Sequence, residues 1–507
     1  MEIHPRAEPG LSFANTPVPG AEDPAEAGRR LLAAGRAPQA LELLDRALHG
    51  TPAHAPAHLY RGLALKALGR PSDALGAFDA AIAAQMDFVP AHVNRAAILR
   101  ELGRSGEALD ASDHAIALDP DFAPAHCNRG LALNDLDLPQ AALDSFDRAI
   151  ELDPTFCAAH GNRGKALQML DCPEEALRAY ERVMALAPGS AQAHVNASHT
   201  LLQLGRFERG WPLYEWRKRL PQPLGFRTFG KPQWLGSPDL AGKRLLIHWE
   251  QGLGDTIQFC RYARLVQSQS ADVVLMAQKS LVRLLRTLGS DIAVCSDEDG
   301  VPDADLQCPL LSLPLALRTR LEDTPAATPY LAAEPDRVSR WRRRIGAHGF
   351  KVGISWQGNK DSPADRGRSF PAEQFRRIAS IDGVRLISLQ VGPGVEQVDQ
   401  PAPRVPVENL GPDFDRGPDA FLDSAAVMHS LDLVITGDTA IAHLAGALRR
   451  PTWVALQHAP DWRWLRARAD SPWYPGMRLF RQRRPRDWQG VFDAMHAELA
   501  HLRSGGS

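Results

Sequence analysis

An α-solenoid followed by a two-lobed α/β region is the fold this sequence predicts, and three observations predict it. Histidine, asparagine and alanine recur at a spacing of 34 residues over the first two-fifths of the chain. A stretch rich in proline and glycine then ends the helical period. Beyond it, short apolar runs of strand length alternate with helical segments, the pattern of open parallel sheets covered by helices.

The repeats come first. His58, His92, His126, His160 and His194 stand 34 residues apart, as do Ala74, Ala108, Ala142 and Ala176, each followed by leucine. Phe78, Phe146 and Tyr180 mark the middle of the second helix of a unit, with Ser112 the exception, and Pro120, Pro154 and Pro188 close three units. Small residues let two helices approach closely, while the large residue fills the gap to the next unit. No unit buries its own face alone, so the stack must continue or be capped. The segment from Ala125 through Gly130, Ala142, Phe146, Ala149 and Pro154 resembles a full tetratricopeptide consensus. The resemblance implies a TPR superhelix over 22–217, after a disordered terminus at 1–21. Asn94, Asn128, Asn162 and Asn196 recur two residues after the histidines, on the helix that lines the concave face of such a superhelix. Side-chain amides both donate and accept, so this ladder is a candidate for binding the backbone of an extended peptide; a similar ladder is familiar from the O-GlcNAc transferases. The alternative is that these amides are solvated or bond between neighbouring units. The histidines stand where the consensus has tryptophan and read as packing residues.

Residues 218–243 form the linker, with Pro221, Pro223, Gly225, Gly230, Pro232, Gly236 and Pro238 forbidding a long helix. Strands are expected at 244–249, 271–277 and, as a short strand or loop, 303–311, within a short first lobe at 244–335. The second lobe, 336–503, starts with a basic helix and carries strands at 352–356, 384–390, 431–435 and 452–456, and ends in a helix.

The turn after the 431–435 strand reads Thr436-Gly437-Asp438-Thr439-Ala440-Ile441-Ala442-His443. A strand, a polar turn and small residues at a helix start leave backbone N–H groups and the positive end of the helix dipole free for a diphosphate. Gly437, Asp438, Thr439 and Ala440 are the candidate phosphate cradle, with His443 one turn further and in reach of a phosphate or ribose; the alternatives are an N-cap for Asp438 and a packed histidine for His443. The whole segment to Pro451-Thr452-Trp453 resembles the C-terminal signature of the heptosyltransferase-type glycosyltransferases. That resemblance implies a GT-B-like architecture, with a nucleotide-sugar donor on the second lobe. It also implies that the aspartate of Gly254-Asp255, at the end of the first strand, is the general base, the other reading being a helix cap. Ser355, Gln357 and Asn359 after the 352–356 strand, Gln390 after the 384–390 strand, and Arg368 before Ser369-Phe370-Pro371 complete the donor set. Lys360 or Arg366 could share the role of Arg368, offsetting the charge of the leaving nucleotide. Trp462, Arg463, Trp464 and Trp473 form an aromatic-rich loop, read mainly as packing between the lobes.

The composition is ordinary for a globular chain, with 44% apolar and 23% charged residues, and the formal net charge of -2 gives no general pull toward nucleic acid. Six cysteines without a CxxC pair, and no apolar run of signal or membrane-spanning length, lead to the expectation of a cytoplasmic protein. The function expected is inverting, metal-independent transfer of a sugar from a nucleotide-sugar substrate, with no other cofactor, to a serine or threonine hydroxyl. The repeats would recruit the protein acceptor. Similar bacterial fusions modify flagellin, which makes flagellin a candidate partner. Transfer to lipopolysaccharide or another surface glycan, and a tetratricopeptide adaptor carrying an inactive GT-B domain, are the alternatives.

Overall fold

The computed structural model describes residues 23–221, 225, 227, 229–237, 239–269, 271–360, 365, 367–398 and 405–505. The segment expected to be disordered, 1–21, and Arg366 lie outside these residues. The chain divides into two compact units, the first ending at Ala193 and the second starting at His194.

In the first unit, helices pair in chain order: α1 (Pro24–Ala33) with α2 (Ala37–Gly50), α3 (Ala55–Ala67) with α4 (Pro71–Ala84), α5 (Val89–Glu101) with α6 (Ser105–Leu118), α7 (Ala123–Asp135) with α8 (Pro139–Leu152), and α9 (Cys157–Met169) with α10 (Pro173–Leu186). Proline at the start of most of these helices suits the first turn, where an N–H has no intrahelical partner. Within a pair the large residue of the second helix lies against a glycine of the first. A Cβ on Gly62 would come within 2.4 Å of Phe78, one on Gly130 within 2.6 Å of Phe146, and one on Gly164 within 2.5 Å of Tyr180. The unit with Ser112 in place of the aromatic residue has Ala96 where the others have this glycine, so the smaller side chain is offset by a larger one opposite.

Two polar ladders accompany the packing. His58, His92, His126 and His160 each bond through Nε2 to the carbonyl six residues earlier, at 2.7–3.0 Å, and so tie down the turn that enters their helix. Arg61, Arg95, Arg129 and Arg163 pair with Asp45, Asp79, Asp113 and Asp147 of the preceding unit at 2.5–2.7 Å. These partly exposed pairs contribute at most about 1 kcal/mol each, so the register rests on the glycine–aromatic contacts.

The second unit holds α11 (Ala191–Gln203) from His194 onward, α12 (Phe207–Tyr214) and two all-parallel sheets. The compact boundary falls ahead of the repeat boundary at 217 read from the sequence. Leu202, Phe207, Trp211 and Tyr214 share one apolar core with the first sheet, and Trp211 Nε1 donates to the Thr319 carbonyl at 3.0 Å. This helix pair has repeat sequence but supplies a wall of the sheet region.

The first sheet has β1 (Arg244–His248), β2 (Asp272–Ala277), β3 (Ala293–Ser296) and β4 (Leu306–Pro309) in the order β3-β2-β1-β4. The second has β5 (Phe350–Ser355), β6 (Val384–Ser388), β7 (Val407–Glu408), β8 (Leu433–Thr436), β9 (Thr452–Leu456) and β10 (Met477–Arg481), in the order β7-β6-β5-β8-β9-β10. Every pairing is parallel. The 303–311 segment is thus a strand, while β3, β7 and β10 are additions to the expected set. In each sheet the chain starts in the middle, builds to one side and then crosses to the other. Its first strand, β1 or β5, therefore borders the point where the connections reverse, and in open parallel sheets the crevice for ligands lies there, beyond the carboxyl ends of the strands.

The tight glycine contact can be probed directly. Gly130→Val is expected to destabilise the repeat array by about 1–3 kcal/mol through overpacking against Phe146, read as a lower urea midpoint. A second change, Phe146→Leu, should recover part of the loss.

Candidate functional site

The loop after β1 runs Trp249-Glu250-Gln251-Gly252 into the helix Leu253–Phe259, and Gln251 takes a positive φ of 60°. A non-glycine residue in that region is uncommon and costs energy, which the surroundings must hold in place. Glu250 supplies the hold. It is buried in an ion pair with Arg217 at 2.7 Å, the two side chains being 3% and 6% exposed. Arg217 also donates to Glu215 at 2.8 Å and to Ser312 Oγ at 2.9 Å, and Gln251 Nε2 donates to the Tyr214 hydroxyl at 3.2 Å.

Asp255 is at the third position of this helix. One carboxylate oxygen accepts the Gly252 N–H at 2.9 Å, the back-bond expected of an acidic residue there, and the other is paired with Arg463. The capping reading of Asp255 is therefore part of its structural role, and the arginine is an additional partner.

Gly254 brings this helix against the helix Ala440–Ala447 that follows β8. A Cβ on Gly254 would lie 3.2 Å from His443 Cδ2 and 3.4 Å from Ala440 Cα. The two loops implicated by sequence thus meet at a glycine.

Between them runs a chain of alternating charges. Arg463 pairs with Asp255 and, at 2.9 Å, with Asp461. Asp461 accepts from Arg368 at 2.9 Å, and Arg368 lies 3.3 Å from Asp438. Asp461 also caps the 3₁₀ turn Trp462–Trp464 by accepting the Arg463 N–H at 3.1 Å, and Arg463 Nε donates to Gln258 Oε1 at 2.8 Å. Burial opposes charge on Asp461, Arg463, Arg368 and Asp438, and the surrounding fields decide the outcome at each. Arg463 and Arg368 hold the Asp461 carboxyl well below its ordinary value despite burial. Burial works against charge on both arginines, and the carboxylates around them nonetheless keep them above theirs. Asp438 goes the other way: burial raises it, with Arg368 only partly offsetting the cost.

His443 is buried on the helix Ala440–Ala447. Its Nδ1 bonds the Tyr474 hydroxyl at 3.0 Å, and its ring stacks on Trp464 at 5.5 Å and 13°. Burial, aided by Arg463, pushes the imidazole down to about 3. Thr439 caps that helix with its backbone, its hydroxyl lying 3.1 Å from that of Thr436, and Ala440 is the first helical residue. Gly437 lets this turn approach Arg368 closely, since a Cβ there would come within 3.1 Å of the Arg368 carbonyl.

Ser355 and Gln390 are brought together, but to hold a loop. Gln390 Oε1 accepts from Ser355 Oγ at 3.0 Å and from the Trp356 and Gln357 N–H groups at 3.1 Å, while its Nε2 donates to the Gln357 and Pro393 carbonyls at 3.0 Å. Gln357 Oε1 accepts from Gln397 at 3.0 Å, whereas its buried Nε2, like that of Gln258, has no hydrogen-bond partner among the described residues. Such donors mark places where a ligand or water completes the bonding. Asn359 and Lys360 are exposed.

On the repeats, Asn94 Nδ2 donates to the Pro90 carbonyl at 2.8 Å, Asn128 Nδ2 to the Val93 carbonyl of the preceding unit at 2.9 Å, and Asn162 Nδ2 faces Cys127 Sγ at 3.9 Å. Asn94 and Asn128 thus each spend one amide N–H on the scaffold. Asn196 is on α11.

Sequence reasoning missed Asp461 and undervalued Arg463. The available signal was the alternation of charge with tryptophan in Asp461-Trp462-Arg463-Trp464, an unusual place for an arginine unless it is paired.

Sequence models of the tetratricopeptide repeat match residues 26–87 and 123–156. The first unit is a tetratricopeptide repeat array. Among curated proteins the chain is similar to Protein FlbA of Caulobacter vibrioides, 30% identical over 304 residues, which are 55% of this chain and 50% of that protein. The chain thus spans about half the length of that relative. Solved structures similar to it include TTC0263, a thermophilic TPR protein of Thermus thermophilus, at 24% identity, covering 35% of this chain and 97% of that one with a TM-score of 0.32. Another is PilF of Pseudomonas aeruginosa, at 20% identity, covering 39% and 90% with a TM-score of 0.36. Among the described residues, no helix is long and apolar enough to cross a membrane.

The strand that leads into the site carries a pH dependence. His248, at the end of β1, is pushed down to about 4, chiefly by burial, from an ordinary value of 6.5. Below pH 6.5 the unfolded chain therefore takes up a proton that the folded chain refuses, and stability falls as the pH drops from about 6.5 to about 4. Relative to His248→Gln, the wild-type melting temperature is expected to fall more steeply across that window. Parallel curves would contradict the assignment.

Proposed function

We propose that the second unit is an inverting glycosyltransferase of GT-B type and that the repeats recruit a protein acceptor. The observation that carries this reading is the meeting of the β1 and β8 loops, which puts Asp255, Arg463, Asp461, Arg368 and Asp438 in one half-buried network beside His443. Both loops leave the carboxyl ends of parallel strands, and β1 and β8 each border the reversal of strand order in their sheet, where such sheets take ligands. The amides of the Gly437–Ala440 turn, at the positive end of a helix, suit a diphosphate.

In the transfer, the acceptor oxygen attacks the anomeric carbon and the bond from that carbon to the phosphate oxygen breaks. The nucleoside diphosphate leaves with the bonding electrons, and Asp255 takes the hydroxyl proton. Attack from the face opposite the leaving group inverts the anomeric centre. Arg368, next to the phosphate turn, offsets the charge that grows on the leaving group. For Asp255 to act as a base, Arg463 must loosen its hold, and Asp461 offers the guanidinium a second carboxylate to retain. Protein recruitment by the first unit follows the habit of repeat arrays to bind through their concave faces, with a serine or threonine side chain as the acceptor and flagellin one candidate.

One observation favours a second reading. Each ionised member of the network has a partner inside the protein, as a purely structural cluster would, and the chain would then be an adaptor.

Hydrolysis of a panel of nucleotide sugars by the full-length protein separates the two. The transferase reading expects nucleoside diphosphate release, with Asp255→Ala slowing kcat by about 100- to 10,000-fold, the contribution of a positioned base. Activity unchanged by the substitution removes Asp255 from the chemistry, and no turnover of any donor favours the adaptor.

A further inference from the structure

Among the described residues the buried histidines have partners, and His199 is one of the half-buried histidines of the second unit that make no side-chain hydrogen bond. The repeat histidines bond carbonyls, His248 bonds Gln307 at 2.9 Å, and His443 bonds Tyr474. His199, on α11, makes no hydrogen bond among the described residues, and its ring is neither fully buried nor free in solvent. The ring lies 5.6 Å from that of Tyr214, whose hydroxyl bonds Gln251 in the loop that leads to Asp255. It also feels Asp461, Arg463, Arg368 and Arg217. An imidazole without a partner thus stands at the edge of the most heavily charged region of the second unit, on the side of the β1 loop.

Burial is the main cause that pushes this imidazole down to about 4, and the three arginines work in the same direction against Asp461. The ring is therefore neutral near pH 7. A neutral imidazole offers one donor and one acceptor, which matches a hydroxyl group. It brings no charge to a phosphate, for which Arg368 and the helix N-terminus are better suited.

We propose that His199 is a contact for the acceptor: its ring bonds the hydroxyl that enters beside Asp255. This inference rests on the glycosyltransferase reading. It makes the last helix pair of repeat sequence part of the reacting centre, so that the same segment both continues the recruiting scaffold and touches the incoming group. His199 orients the hydroxyl, and the proton still goes to Asp255.

The test uses the full-length protein, nucleotide sugars as donors and water as the probe acceptor, with kcat and donor KM measured for wild type, His199→Ala and His199→Asn. Loss of one oriented hydrogen bond to the attacking group should lower kcat of His199→Ala about ten-fold while donor KM stays within about two-fold. His199→Asn, whose amide also donates and accepts, should regain most of the rate. An unchanged kcat in His199→Ala overturns the proposal, as does a raised donor KM, which would place the ring on the donor. A loss that asparagine does not restore, accompanied by a lower melting temperature, makes the role one of folding and overturns it too. Wild-type protein that turns over no donor overturns this proposal together with the glycosyltransferase reading, whereas normal wild-type turnover with an unaffected His199→Ala overturns this proposal alone.

Discussion

Asp255, Arg463, Asp461, Arg368 and Asp438 lie in series in the second unit, half-buried around the buried Arg463, and the need of each for its neighbours fixes how three loops meet. Removing one partner of a buried ion pair costs about 3–5 kcal/mol, against at most about 1 kcal/mol for an exposed pair of the kind that links the repeats. The pairs of the series, partly withdrawn from solvent, fall between these limits and so carry more structural consequence than the longer ladder on the solenoid. Arg463 is its hinge of connectivity. It comes from the loop after β9, holds the aspartate of the β1 helix, and shares Asp461 with the arginine that approaches the β8 turn. Such a fully paired arrangement keeps its charges in the interior only while the loops stay in register.

The repeats were legible because their constraint is local and recurs. A glycine must face each large residue, so the same letters return every 34 positions, and the one irregular unit answers Ser112 with Ala96. The β1, β5 and β8 segments were legible for a related reason: strands covered on both faces read as continuous apolar runs. Asp255 and the Gly437–His443 segment stood out because a turn between a strand and a helix N-terminus constrains residue types strongly. The boundary of the solenoid was less legible. The letters of the last helix pair continue the repeat, but Trp211 and Tyr214 are spent on the sheet core.

What sequence could not resolve is which polar groups face a ligand and which face the protein. A glutamine at a strand end reads alike in both roles. Gln390 turns out to hold the loop after β5 with all its side-chain hydrogen-bonding groups, while Gln357, two residues beyond β5, keeps a donor without a partner among the described residues. Asp461 and Arg463 were obscure because their pairing depends on an approach between residues 208 positions apart. The asparagine ladder is similar: its period is visible in the letters, but the engagement of Asn128 with the preceding unit is not.

The central claim is that this charge series borders a site for a nucleoside diphosphate. A ligand that binds the folded state raises its stability by mass action, by about 2.7 kcal/mol at a concentration 100 times Kd. The most direct measurement is the melting temperature of the full-length protein across a panel of nucleoside diphosphates, repeated with Thr439→Pro, which alters the backbone of the phosphate turn. The account predicts that at least one diphosphate raises the wild-type melting temperature in a saturable manner and that the variant loses this response. A wild-type protein indifferent to every nucleotide, or a variant that responds as the wild type does, would contradict it.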